Sequence, residues 1–179
     1  MPHAHELVNA NIEYLKQAIT LIDSLKDGQY SKNGGDFYQS GVGKHMRHLL
    51  DHYTRFLEIT DGNIDYDARK RDPKIETDCG YTCNYCEKLI GGFSELPEEA
   101  AWIDSSVRIR SNEVEQRNPW STSTIKRELQ FLISHTVHHF ALIKIILNTE
   151  GIETPREFGI APSTLAFEKS QATLAEAQG

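Results

Sequence analysis

The sequence predicts an all-α protein: a four-helix bundle with a long crossover connection and a small β-hairpin-like insertion before the last helix. Three observations lead there. Four stretches of roughly 14 to 25 residues carry apolar side chains at helical spacing. Asp-Gly, Gly-Gly and single Gly positions punctuate them. One segment between the third and fourth stretches switches to alternation. The 179 residues suit a single domain, with the bundle at about 5–150 and a tail at 151–179.

The first helix is expected over about residues 5–26, with Val8, Ile12, Leu15, Ile19 and Ile22 spaced by four and three. Asp27-Gly28 reads as its stop. The second begins after Ser40, whose hydroxyl is placed to cap the first turn. It presents Val42, Met46, Leu49, Tyr53, Phe56 and Leu57 before Asp61-Gly62 ends it. Charged residues and Pro73 make 63–76 a long connection. The third helix starts near Thr77-Asp78 and runs to about Ile90, with Gly91-Gly92 as terminator. Val107 and Ile109 alternate with Arg108 and Arg110, the mark of a short strand. The fourth helix spans about 124–148, carries Leu129, Leu132, Ile133, Leu142, Ile145 and Ile146, and meets Gly151 as a C-cap. The tail ends in an Ala- and Glu-containing stretch with the makings of a short helix.

Composition excludes several function classes. Lys plus Arg number 19 against 26 Asp plus Glu, a formal charge of −7, the wrong sign for a nucleic-acid surface. Three cysteines within eight positions are no secreted disulfide framework. No apolar run approaches the roughly 18 to 20 residues of a membrane span, and the first residues lack a signal-peptide core. The expectation is a cytoplasmic protein with no membrane and no nucleic-acid partner.

The distinctive residues are histidines. There are eight, and His45, His48, His52, His135, His138 and His139 form two groups. GVGKHMRHLLDHY puts His45, His48 and His52 on one face of the second helix. ISHTVHHFALI puts His135 and His139 one turn apart on the fourth, with His138 beside them. Two imidazoles at i, i+4 can share a metal ion, and a third from a facing helix completes a three-nitrogen site open to water or substrate. Spacing alone does not rank His45, His48 and His52. Thr136 stands where a zinc protease of the HExxH type needs its glutamate, so that mechanism is not supported.

GVGKHMRHLLDHY, NIDYDARKRDPKIETD and ELQFLISHTVHHFALIKIIL, in this order and spacing, resemble the DinB-like family of metal-binding four-helix bundles over about residues 5–165. The resemblance implies a divalent metal, zinc or nickel, held by His48, His135 and His139. His45, His52, His138 and Asp51 become candidate supporting residues around those ligands. It further implies homodimers and, in some branches, transferases that join a low-molecular-weight thiol to a small electrophile. Catalytic residues are not identifiable from the sequence. A metal-dependent hydrolase and a non-catalytic, metal-stabilised stress-response module are the alternatives.

Cys79, Cys83 and Cys86 reproduce the C-x3-C-x2-C string of radical SAM iron–sulfur enzymes. The chain lacks that family's strand–helix alternation, and the three cysteines continue with Ile90 and Phe93 as a helical stripe, which predicts buried or redox-sensitive thiols instead. Arg108 and Arg110 are candidates for an anionic substrate or for solvated strand charges. Trp102 and Trp120 are candidates for a pocket mouth or for packing the insertion on the bundle. The run DYDARKRD reads as a solvated loop.

Overall fold

The computed structural model describes residues 3–35, 38–111 and 119–177. Four long helices, α1 (His3–Asp23), α3 (Val42–Leu57), α5 (Cys79–Ser94) and α7 (Ile125–Thr149), form the bundle. α1 packs on α5 and α7, and α3 packs on α7 and α5, so the sequential pairs α1/α3 and α5/α7 lie diagonally opposite. Short helices α2 (Asp27–Tyr30), α4 (Lys74–Thr77) and α6 (Ala100–Ile103) interrupt the connections, and α8 (Pro162–Ala177) follows the bundle.

The core is the continuous apolar interior of these helices, with Leu15, Ile22, Met46, Leu50, Phe56, Phe93, Leu132 and Phe140 among its most deeply buried members. Each such side chain contributes about 1.5–3 kcal/mol relative to exposure. Two buried polar contacts cross between helices. Tyr53 on α3 and Thr136 on α7 share a 3.0 Å hydrogen bond, and Asn11 Nδ2 of α1 donates to the Leu129 carbonyl of α7. The first of these contacts ties α3 to α7, the two helices that carry the histidines.

Asp78, near the expected start of the third helix, and Thr124, at the expected start of the fourth, both serve as N-caps. Asp78 accepts from the Tyr81 N–H at the start of α5, and Thr124 accepts from the Arg127 N–H at the start of α7. Gly151, at φ +72°, follows the last turn of α7. Other expectations need correction. The N-cap of α3 is Gly41 rather than Ser40, and it makes no side-chain capping bond. Asp27-Gly28 does not only stop α1 but forms α2. Gly91-Gly92 does not end α5, which continues to Ser94. A Cβ at Gly92 would come 2.7 Å from Leu57 Cδ1, so this glycine lets α5 approach α3. Gly43 does the same for α4: a side chain there would run into the Glu76 backbone.

The insertion is larger than a hairpin. β2 (Ser106–Arg110) pairs antiparallel with β3 (Trp120–Thr124), and β1 (Asn63–Asp65) adds parallel to β2 from the segment expected to be pure connection. Asp61 and Gly62, at φ +51° and +69°, turn the chain from α3 into β1, where Ile64 is fully buried. The tip between β2 and β3 lies outside the described residues. α7 is long and apolar enough, by length and composition alone, to cross a bilayer. Its apolar positions are committed to α1 and α3 on one side.

Candidate metal centre

α3 and α7 lie side by side, and their histidine faces meet. His135 Nε2 stands 3.2 Å from His48 Nε2 and 3.2 Å from His139 Nε2. His52 closes on the same point from the next turn of α3: His48, His52 and His135 each offer a nitrogen within 4.8 Å of the other two. His45 reaches the far side, its Nδ1 3.0 Å from His139 Nδ1. The structure therefore gathers a three-histidine cluster able to hold a metal. His48, His52 and His135 are the three that converge mutually, and His139 joins them through its contact with His135.

The donor set fits a divalent ion. Imidazole nitrogens bound at about 2.0–2.1 Å with near-tetrahedral angles lie about 3.3 Å apart, close to the two Nε2 separations found here. The rings are also in the right protonation state. Burial, with a smaller contribution from neighbouring imidazoles, pushes His135 down to about 2 and His48 and His139 to about 3. Burial lowers His52 to about 4. All four rings are neutral near pH 7, with lone pairs available. His52 is oriented as ligating imidazoles commonly are, its Nδ1–H donating to the His48 carbonyl at 2.8 Å and leaving Nε2 inward.

An aromatic wall encloses the cluster. Tyr66 stacks on His52 with centroids 5.3 Å apart, and Phe131 stacks on His135 at 5.4 Å. Tyr66 donates its hydroxyl to the buried Glu128 carboxylate, which also accepts from Ser123. On the open side Arg69 Nη1 donates to His48 Nδ1 at 2.9 Å.

Several sequence candidates sit elsewhere than expected. Asp51 is buried but turns its carboxylate to Arg47 at 3.0 Å. His138 lies edge-on against His139 on the exposed side of α7. Arg110 pairs with Asp65 and Asp67, and Arg108 lies over the Trp120 ring, so both arginines are engaged within the sheet region. Trp102 packs half-buried against the core. Cys86 is fully buried, while Cys79 and Cys83 are partly so, and all three are free thiols. Burial first, then the Asp27 and Asp23 carboxylates beside Cys79 and Cys83, pushes these thiols up to about 12. Burial alone dominates the same rise at Cys86.

The sequence reading missed Tyr66, Phe131 and Arg69. Tyr66 and Arg69 belong to the run taken for a solvated loop, yet Tyr66 is buried and Arg69 touches a candidate ligand. The one available signal was an aromatic residue inside a charged stretch, since a purely solvated loop has no use for it.

Comparison with known proteins agrees with this architecture. The DinB family profile matches residues 1–157. A stretch of 49 residues is 45% identical to FK506-binding protein 5 of Rhizopus delemar, covering 27% of this chain and 13% of that protein. The chain thus spans only a small part of that curated relative. No solved structure matches.

Proposed function

Because the chain belongs to the DinB family, we propose that it is a zinc or nickel protein whose ion is held by His48, His135 and His139 and which transfers a low-molecular-weight thiol to a small electrophile. The observation that carries the ligand set is the pair of 3.2 Å Nε2 separations centred on His135. A bound ion would supply Lewis acidity, lowering the pKa of a thiol held beside it.

The chain's own residues have the remaining tasks. The three imidazoles use one nitrogen each and leave further positions free for substrate. His45 supports His139 through the Nδ1 contact. Tyr66 and Phe131 cover His52 and His135 and keep water off that side. In the transfer the thiol gives up its proton to solvent, sulfur forms a bond to the electrophilic carbon, and the leaving group departs with the bonding electron pair.

The test has two stages. Metal content and affinity of His139→Ala and His52→Ala separate His139 from His52 as third ligand: loss in the first and retention in the second is expected, and the reverse result overturns the ligand set. The metal-loaded protein is then assayed with a panel of small thiols and alkylating electrophiles, following thioether formation by mass spectrometry. Thioether formed faster than in the metal-free protein supports the transferase. Full metal occupancy without thiol transfer overturns it, in favour of a hydrolase if ester or amide substrates turn over and of a non-catalytic module if they do not.

A further inference from the structure

The histidines occupy one face of α3. A different face, about 100° round the helix, lines a cavity of about 400 Å³ against α5. Asp51, Thr54, Arg55 and Glu58 follow one another at helical spacing on that face, and Tyr81, Tyr85, Lys88 and Gly92 do so on α5. The segment between β1 and α4 adds Lys70 and Asp72 to the lining. That segment is tied to both walls. On α3 the Arg71 N–H donates to Asp51 and Lys70 pairs with Glu58; on α5 Tyr81 donates its hydroxyl to Asp72 at 2.7 Å. Thr54 and Tyr85 share a 2.7 Å hydrogen bond that joins the two helices directly. The cavity is therefore framed by paired groups on every side.

Its lining combines apolar surface with one uncommitted charge. Leu57, Leu89 and the rings of Tyr81 and Tyr85, with centroids 6.4 Å apart, supply the apolar part. Three carboxylates also line it, and each already has a partner: Asp51 has Arg47, Glu58 has Arg55 and Lys70, and Asp72 has the Tyr81 hydroxyl. Lys88 has no hydrogen-bond or ion-pair partner among the described residues. We propose that this cavity is a ligand site for a small aromatic carboxylate, whose ring lies against Tyr81, Tyr85 and Leu89 and whose carboxylate pairs with Lys88. The size suits it, because small-molecule pockets run from roughly 300 to 1,000 Å³ and are mainly apolar with a few orienting polar groups. The charge suits it as well. A cationic ligand would have to displace Arg47, Arg55 or Lys70 from carboxylates they already neutralise, whereas an anion meets a lysine that gives up only water. The tyrosine rings favour an aromatic body over an aliphatic one through offset or edge-to-face contact. The site uses neither the histidines nor the transfer reaction and so goes beyond the function proposed above.

The probes are naphthalene-2-carboxylate, naphthalene-2-methanol, which keeps the ring without the charge, and 2-naphthylmethylamine, which reverses it. Each is titrated into the full-length chain as purified and followed by proton–nitrogen correlation spectra. The carboxylate should shift the amides of Tyr81, Tyr85 and Lys88, and its ring protons should show nuclear Overhauser contacts to the two tyrosine rings. The alcohol and the amine should bind at least about tenfold more weakly. Lys88→Met, which keeps an unbranched stem, should weaken the carboxylate about tenfold and leave the alcohol unchanged. Tyr81→Leu should weaken all three probes about threefold. Unchanged melting temperatures of both variants separate a lost contact from a lost fold, and the wild-type contacts stand whatever the variants do. Equal binding of carboxylate and alcohol, or an unaltered carboxylate affinity in Lys88→Met, overturns the assignment. Shifts confined to the histidine faces of α3 and α7, or no saturable binding at millimolar carboxylate, overturn the site itself. Failure of the histidines to hold an ion overturns the metal reading and leaves these outcomes as they are.

Discussion

The histidine cluster between α3 and α7 and the cysteine stripe of α5 begin as similar features and end as opposites. Each offers three side chains of ligand type at helical spacing. The histidines come from two helices whose faces meet, so their nitrogens converge to 3.2 Å. The cysteines come from one helix and spread along it, Cys79 and Cys83 toward Asp27 and Asp23 and Cys86 into the core. Burial then acts on the two chemistries with opposite result. It disfavours the charged form of either group, which leaves imidazole neutral and able to ligate but keeps a thiol protonated and unable to. Convergence and desolvation together, rather than the string of residue types, distinguish a site from a packing stripe.

The largest effect expected from this contrast is on metal content. The His48, His135, His139 triple alanine variant should lose about a hundredfold or more in zinc affinity, whereas Cys79, Cys83 and Cys86 changed together to alanine should leave it unaltered. Iron with acid-labile sulfide that disappears in a Cys83 variant would reverse the comparison.

Acid comes next. An unfolded chain protonates its histidines below about pH 6.5, but the buried rings resist protonation down to about pH 4 for His52 and about 2 to 3 for His48, His135 and His139. The unfolded state therefore binds more protons throughout that window, and stability of the metal-free protein falls as pH drops through it. The slope is up to about 1.4 kcal/mol per pH unit for each ring. Melting temperatures between pH 7 and pH 4 check this, and His135→Gln should flatten the curve. A flat wild-type curve would mean the rings are not desolvated as described.

The cysteines should contribute nothing in that range and should show their state by slow chemistry instead. Alkylation by iodoacetamide at pH 7.5 should run more than about tenfold slower than for free cysteine, with Cys86 reacting only on unfolding. The smallest effect belongs to Asp23→Asn, which removes the carboxylate 3.4 Å from the Cys83 sulfur and should speed its alkylation by about threefold.

The bundle was legible because its helices are marked by periodicity and capping chemistry that act locally. α5 and α7 begin next to Asp78 and Thr124, close to where the sequence puts their first turns, and the histidine faces of α3 and α7 follow from spacing alone. What escaped the sequence depends on long-range pairing. β1 is three residues long, and its partner, β2, lies more than forty positions away. Gly91-Gly92 has the composition of a helix end, but the close approach of Leu57 makes glycine useful inside the helix. Tyr66 and Arg69 look like loop residues until β1 and α4 anchor the segment on either side and carry them to His52 and His48. The ranking of His45, His48 and His52 was equally out of reach, because all three share one face of α3.

The central claim is that the histidines, and not the cysteines, form the metal centre. X-ray absorption at the metal edge of the zinc-loaded protein tests it most directly. The expected first shell is three imidazole nitrogens at about 2.0–2.1 Å with oxygen completing the coordination. A sulfur scatterer at about 2.3 Å would contradict it.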